Sequence, residues 1–343
     1  MKTITEKPDV FTLKMQTEAA IALVKSTFEN ELSSALNLKK ISSPLIVLQG
    51  TGINDDLNGT ERAVKFPVKD MLEQTAEVVQ SLAKWKRLRL KDYKIPSGTG
   101  ILTNMQALRP DENFSCLHSI SVDQWDWEKV MEPQQRNLLF LKETVGKIYE
   151  AIKSTEAVIA ENFMHLGAIL PEKITFMQSE ELLQKYPDHS PKERENLAAK
   201  EFGAIFIIGI GGKLTNNEIH DSRAPDYDDW TTASDADYKG LNGDLILWNP
   251  VLDQAMEISS MGIRVNAETL EKQLEISGCQ ERKKLFYHDK LLKGELPQSI
   301  GGGIGQSRLC MFLLKKKHIG EVQVSIWPDE LRNDCERNGI HLL

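Results

Sequence analysis

The stretch Ile-Gly-Gly-Gly-Ile-Gly-Gln-Ser-Arg-Leu at 300–309 constrains this chain more than any other. Four glycines and one arginine run straight into the apolar segment Cys310-Met311-Phe312-Leu313-Leu314. Glycine in an extended segment gives up packing and conformational entropy, so a run of it implies that something approaches that backbone closely. The reading that follows is a surface flattened for a nucleotide, with Arg308 in contact. Two common phosphate cradles are excluded by spacing. A dinucleotide fingerprint begun at Gly303 and Gly305 needs its third glycine where Arg308 stands. The segment Gly209-Ile210-Gly211-Gly212-Lys213-Leu214 ends in a tempting Gly-Lys, but Leu214 replaces the metal-binding hydroxyl and Ile207 the first glycine of a P-loop.

The rest of the chain sets that stretch in a mixed architecture. Ile21, Val24, Phe28, Leu32 and Leu36 recur at steps of three and four from Thr17, which predicts a helix ending near Asn37. Residues 38–47 read as one strand interrupted by Pro44. Residues 49–60, rich in Gly, Asn and Asp, read as a loop that can carry Asp55 and Asp56 into a site. A strand and helix follow over 77–93. Two strands at 101–109 and 117–125 look like an antiparallel pair with an open loop, and a long helix starts near Pro133 and runs to Phe163. Later strands are expected at 174–177, 204–209, 244–248 and 255–265, with helices at 180–186, 191–202 and 267–276. Without regular βαβ alternation, this pattern points to an α+β fold with a largely antiparallel sheet, treated as a single domain over 1–343.

Composition bears mainly on partners. Forty-two Lys and Arg against fifty Asp and Glu give a net charge of −8, so nucleic acid is not an expected partner. The basic run Lys84-Trp85-Lys86-Arg87-Leu88-Arg89-Leu90-Lys91 reads first as a partly solvated helix face. The four cysteines show no Cys-x-x-Cys pair, which suits reduced thiols. No apolar run reaches the length of a membrane span and no signal core is visible, so a cytoplasmic protein without membrane contact is expected.

Charged residues cluster beside the strands. Arg109 is followed by Asp111 and Glu112; Asp123, Gln124, Asp126 and Glu128 alternate with Trp125 and Trp127. Arg223, Asp226, Asp228 and Asp229 surround Tyr227 and Trp230, while Asp244, Glu257 and Arg264 lie on the later strands. Charges are seldom buried without partners, so such clusters ask for a ligand or a dense ion-pair network. Arginines at strand ends suit phosphate oxygens, and carboxylates suit Mg²⁺ or a substrate ammonium. The inventory fits a nucleoside triphosphate together with an amino acid.

These residues resemble known motifs. Arg109 with its acids, the strand from Glu257 to Arg264, and the glycines ending at Arg308 are similar to the second and third motifs of class II aminoacyl-tRNA synthetases, nearest the aspartyl and asparaginyl enzymes. The early helix and the Pro44 strand resemble their first, dimer-forming motif. More specifically, Ser-Leu-Ala-Lys-Trp-Lys-Arg at 81–87, Ala-Leu-Arg-Pro-Asp-Glu at 107–112 and Val-Asp-Gln-Trp-Asp-Trp-Glu at 122–128 resemble the ammonia-dependent asparagine synthetase (aspartate–ammonia ligase) family. So do Arg-Ala-Pro-Asp-Tyr-Asp-Asp-Trp at 223–230, Ile-Ser-Ser-Met-Gly-Ile-Arg-Val at 258–265 and the segment 297–308.

The resemblance implies a class II synthetase-like fold and a two-step reaction. Aspartate would attack the α-phosphorus of ATP to give β-aspartyl-adenylate and pyrophosphate, and ammonia would then displace AMP to give asparagine. It assigns ATP to Arg109, Arg308, His118, Asp244, Glu257 and one or both of Asp111 and Glu112, with Mg²⁺ on Asp244 and Glu257. Aspartate falls to Ser81, Lys86, Gln124, Asp126, Asp228, Ser260 and Arg264, with Lys86 and Arg264 suited to its carboxylate and Asp126 and Asp228 to its ammonium. Arg109 and Arg308 act in adenylation, and Asp55 would position ammonia or take its proton. A homodimer is implied. The alternatives are an inactive synthetase-like protein that binds aspartate or AMP as a regulator, and a truncated asparaginyl-tRNA synthetase. Residues 1–50 are too short for an anticodon-reading OB-fold, and Lys2 stands where a glutaminase would carry its nucleophilic cysteine.

Overall fold

The expected first helix forms, and it begins earlier than its apolar spacing indicates. The helix Val10–Leu36 is started by Asp9, whose carboxylate accepts from the Thr12 N–H at 2.8 Å, and is stopped by Asn37 in the left-handed region at φ 58°. Its buried stripe of Ile21, Val24, Phe28, Leu32 and Leu36 packs beside the long helix Leu138–Asn162. Both lie on one face of a mainly antiparallel sheet, and the Phe28 ring meets Trp125 at 4.7 Å between centroids. Burying each such large apolar side chain contributes about 1.5–3 kcal/mol. This computed structural model describes residues 9–55, 57, 61–235 and 237–343; Asp56 lies outside the described residues.

Among the described residues the main sheet has eight strands, in the spatial order Leu38–Lys40, Gly100–Leu108, Ser121–Val130, Ser299–Gly305, Gln254–Ile263, Asn242–Asn249, Ala204–Ile208 and Thr175–Gln178. Only the two edge pairings are parallel. The glycine strand is thus central, flanked by the strands carrying Asp126 and Ser260. On one face Trp125, Trp127, Met261, Ile300 and Ile304 join the helices in the main core. The opposite face, toward the helix Ala83–Asp92, collects the polar side chains. The α+β expectation holds.

Several local expectations are corrected. Residues 38–47 do not form one strand: Leu38–Lys40 joins the main sheet, whereas Ile46–Leu48 pairs with Gln74–Val78 in a separate three-stranded sheet. Pro44, which lacks a ladder donor, lies in the link between them. The second hairpin strand starts at Ser121 rather than Leu117, because Ser115 turns the chain: its N–H donates to His118 O at 3.2 Å and its hydroxyl meets His118 Nδ1 at 2.8 Å. His118 therefore reaches the site from a loop. Pro133 opens only a short 3₁₀ turn, with the long helix capped by Asn137. The basic run is solvated only in part: Arg89 and Lys91 reach the surface, whereas Lys84, Lys86 and Arg87 are buried. Their helix is covered by the body of the protein, and Arg87 donates to the Val265 and Pro297 carbonyls at 2.7 and 3.0 Å.

Candidate active site

The polar face of the sheet lines a cavity of about 320 Å³. Its floor explains the glycines. Gly301 lies opposite Glu128, and a Cβ added there would fall 2.0 Å from Glu128 Oε2 and 2.6 Å from an Arg264 guanidinium nitrogen. At Gly303 the added atom would lie 2.4 Å from Gln124 Oε1. Side chains of the neighbouring strands thus lie across Gly301 and Gly303, while Gly302, Gly303 and Gly305 also line the cavity. What approaches Gly301 and Gly303 most closely is the protein's own polar side chains.

Those side chains form one buried charge group. Arg264 donates from Nε to both oxygens of Glu128 at 3.0 and 3.1 Å and makes a further, short contact with Asp228. Burial alone would depress its pKa, but Glu128 and Asp228 outweigh burial and hold the guanidinium above its ordinary value. Lys86 bonds Asp126 and donates to the carbonyls of Trp127 and Gly302, each at 3.0 Å. Burial is the largest influence on this ammonium and leaves it below its ordinary value, against the pull of Asp126 and Glu128. Asp126 Oδ2 is buried and has no hydrogen-bond partner among the described residues. Burial likewise leaves the Asp228 carboxyl above its usual range despite Arg264. Ser81, Gln124 and Ser260 line the same cavity.

A second group lies along the cavity around Glu257. Arg308 donates to the Glu257 carbonyl at 3.1 Å and to its carboxylate at 3.5 Å. His118, Arg109, Glu112 and Arg223 line this part of the cavity as well. Burial, then the Arg308 charge, pushes the His118 imidazole down to about 4. Arg109 donates to Gln80 O at 3.3 Å, while its buried Nε has no partner among the described residues. Glu257 and Ser260 are three residues apart, a spacing that would put them on opposite sheet faces. A register shift opposite Leu245 and Ile246 inserts one residue and turns both into the cavity.

Three positions differ in surroundings from the rest. Asp111 forms an exposed pair with Arg62, whose guanidinium donates to Oδ1 and whose backbone N–H donates to Oδ2, and does not line the cavity, whereas Glu112 does. Asp244 is buried behind the wall with both oxygens on Arg223. Burial, with Glu257 and Asp221 nearby, pushes its carboxyl up to about 7. Asp55 is 3% exposed and lines the cavity from its loop. Among residues that sequence reasoning left without a site role, Glu128, Arg223 and Tyr227 contribute most to the charge and walls. All three sit inside quoted motifs, so the signal was present but nothing in one dimension separated wall from spacer.

The comparisons with known proteins decide the family. A family model described as aspartate-ammonia ligase matches residues 15–339. The chain is 57% identical to an aspartate–ammonia ligase of Parabacteroides distasonis over 328 residues, covering 96% of this chain and 95% of that protein. The chain belongs to the aspartate–ammonia ligase family. Another member, from Clostridium perfringens, is 55% identical over the same shares of both chains. The ligase also shares its fold with solved asparaginyl-tRNA synthetases. That of Pyrococcus horikoshii, complexed with asparaginyl-adenylate, gives a TM-score of 0.67 at 14% identity, covering 91% of the ligase and 70% of that chain. That of Entamoeba histolytica gives 0.66 at 16%, covering 90% and 66%. The class II synthetase-like catalytic fold is therefore established, and the hypothesis of an inactive regulator or a truncated tRNA synthetase is not the one these relatives favour.

Proposed function

We propose that this ligase makes L-asparagine from L-aspartate and ammonia at the expense of ATP, through β-aspartyl-adenylate. The observation that carries the reading is that one cavity holds both an amino-acid-sized group of paired charges and an arginine-rich wall. Lys86 and Arg264 take the substrate's α-carboxylate, and Asp126 and Asp228 take its ammonium. The bare Asp126 oxygen and the raised Asp228 carboxyl support this, since a cation beside them would satisfy both. Ser81, Gln124 and Ser260 orient the side chain.

The β-carboxylate oxygen attacks the α-phosphorus and the pyrophosphate oxygen leaves. Two anions must meet for this, so the developing charge needs fixed cations. Arg109 holds the α-phosphate and the reacting carboxylate; Arg308 lies against adenine and the γ-phosphate; His118, neutral at physiological pH, lines the nucleotide side. Glu112 is the acid that faces adenine. Ammonia's lone pair then attacks the β-carbonyl carbon, AMP leaves, and the extra proton departs, with Asp55 positioned to receive it.

Mg²⁺ fits the acids at the Glu257 end. The Asp244 carboxyl is raised by burial and by Glu257 and Asp221, a concentration of negative charge that a cation relieves. No three His, Cys, Asp or Glu among the described residues converge as a self-contained metal site. That suits Mg²⁺, which is commonly held by one or two carboxylates plus substrate phosphates. Asp244 and Glu257 would hold it, once Arg223 releases Asp244, and bound there it would neutralise phosphate charge.

The whole of 1–343 works as one catalytic domain, as a cytoplasmic homodimer without nucleic acid. The dimer reading rests on the resemblance of the early helix and Pro44 segment to a dimer-forming motif, and no helix among the described residues is long and apolar enough to cross a membrane. The test is pyrophosphate release with aspartate, ATP, Mg²⁺ and ammonium, with and without tRNA. Aspartate-dependent release with asparagine formation is expected. No release would sink the ligase reading, and charging of tRNA without asparagine would replace it.

A further inference from the structure

A buried cluster around Asp226 has no part in the roles above. Asp226 is fully buried, and its Oδ2 accepts from His288 Nε2 at 2.9 Å, Lys84 Nζ at 3.1 Å and Arg282 at 3.2 Å. These partners come from separate elements, and three of the segments involved reach the cavity. Lys84 stands two residues before Lys86, and Asp226 directly precedes Tyr227 and Asp228. The third segment is the loop bearing Asp55, which rests on His288.

That contact is tight. Gly52 has φ +71°, and a Cβ added there would lie 2.8 Å from His288 Nδ1 and 2.9 Å from Leu285 Cβ. A side chain at this position is therefore opposed by backbone conformation and by the ring together. The Tyr287 N–H donates to Thr51 O at 3.2 Å. On the far side Asn54 accepts from the Gln80 N–H at 2.9 Å and donates to Glu77 Oε2 and Val78 O at 3.1 and 3.2 Å. Residues 51–54 are thus gripped between the helix Phe286–Leu292 and the strand Gln74–Val78, which leaves Asp55 buried at the cavity wall. Asp55 and Tyr227 both line the cavity, and the Asp55 charge contributes, after burial, to the raised pKa of Tyr227.

We infer that His288, oriented by Asp226, is a positioning residue for the ammonia step: it seats Gly52 and so fixes where Asp55 meets the incoming amine. The inference rests on the role proposed for Asp55. Arg308, Lys86 and Arg264 make no hydrogen bond to residues 51–54 among the described residues, and Arg109 meets them only through the Gln80 backbone, so the two half-reactions should separate.

The experiment uses full-length His288→Ala, His288→Gln and Asp55→Asn. Aspartate-dependent ATP–pyrophosphate exchange without ammonium reads adenylation, and asparagine formation against ammonium concentration reads the second step. In His288→Ala, exchange should stay within about twofold while kcat/KM for ammonium falls about 10- to 100-fold, the penalty of a misplaced group. His288→Gln, which keeps an amide donor toward Asp226, should recover part of the loss. Equal loss of exchange and ammonium use in His288→Ala would make the cluster merely structural and overturn the inference. Unchanged ammonium use in His288→Ala, with Asp55→Asn impaired, overturns the inference but not the Asp55 reading. Unchanged ammonium use in Asp55→Asn overturns that reading and the inference with it. If His288→Ala does not fold, Gly52→Ala presses the loop off the same ring and must give the same split.

Discussion

Replacing Gly301 with alanine tests the account of the glycine strand directly. The new methyl would sit 2.0 Å from Glu128 Oε2 and 2.6 Å from Arg264, so a buried side chain must shift. Both are buried, Glu128 at 0% and Arg264 at 2% exposure. Glu128 must therefore swing away from Arg264 and from the Ser299 hydroxyl, which it now meets at 2.7 Å. Breaking a buried ion pair costs about 3–5 kcal/mol, because the remaining charge stays desolvated, and overpacking adds about 1–3 kcal/mol. A loss of about 4–8 kcal/mol in urea unfolding is the expected outcome, together with weakened aspartate binding. Because Glu128 is the obstacle, Gly301→Ala should cost at least about 1 kcal/mol less in a Glu128→Ala background, a coupling of the size neighbours show. An unchanged unfolding midpoint, or strictly additive costs, would refute the reasoning.

Arg308→Ala should remove pyrophosphate release by at least about 100-fold while changing stability by only about 0.5 kcal/mol, since the side chain is one-quarter exposed and its pair with Glu257 is partly solvated. Release retained at ordinary ATP would contradict the role given to it. Glu112→Gln should raise the KM for ATP about tenfold, whereas Asp111→Asn, whose partner is the exposed Arg62, should stay within about twofold in steady-state kinetics. Burial and Arg308 push the His118 imidazole down from its ordinary value of about 6.5 to about 4, so the unfolded chain binds the extra proton first as pH falls. Its contribution to stability is present above about pH 6.5 and is lost progressively toward pH 4; allowing for partial solvent screening it amounts to about 1–2 kcal/mol. Urea unfolding of wild type and His118→Gln at pH 7 and pH 4.5 should show a shallower decline in the variant.

Much of the fold was legible because it rests on local rules. The helix Ala267–Ile276 and the helix Pro191–Phe202 fall where periodicity and capping residues place them, the latter behind Ser190 with Pro191 at its first turn. Errors came where local pattern met a tertiary decision. Residues 117–120 alternate like a strand but are bent by Ser115, and residues 38–47 look continuous but are divided between two sheets. Which charges of the basic helix are buried was not legible, because sequence shows charges without showing that Asp126, Asp226 and the Val265 carbonyl wait opposite them.

The sequence by itself determined the family chemistry, through long motifs whose residue types survive without knowledge of their geometry. It named Lys86, Asp126, Asp228 and Arg264, which the cavity gathers on the aspartate side, but gave no site role to Asp123 or Arg223 on the cavity wall, nor to Glu128 buried behind Arg264. Only the tertiary structure decided what each does there. The bulge opposite Leu245 turns Glu257 and Ser260 to one face, the Arg62 pair removes Asp111 from the cavity, and Glu128 and Gln124 fill the space above Gly301 and Gly303. Such distinctions depend on which side chains from distant strands compete for the same few ångströms, and that competition is settled by sheet register and packing, which no linear spacing records.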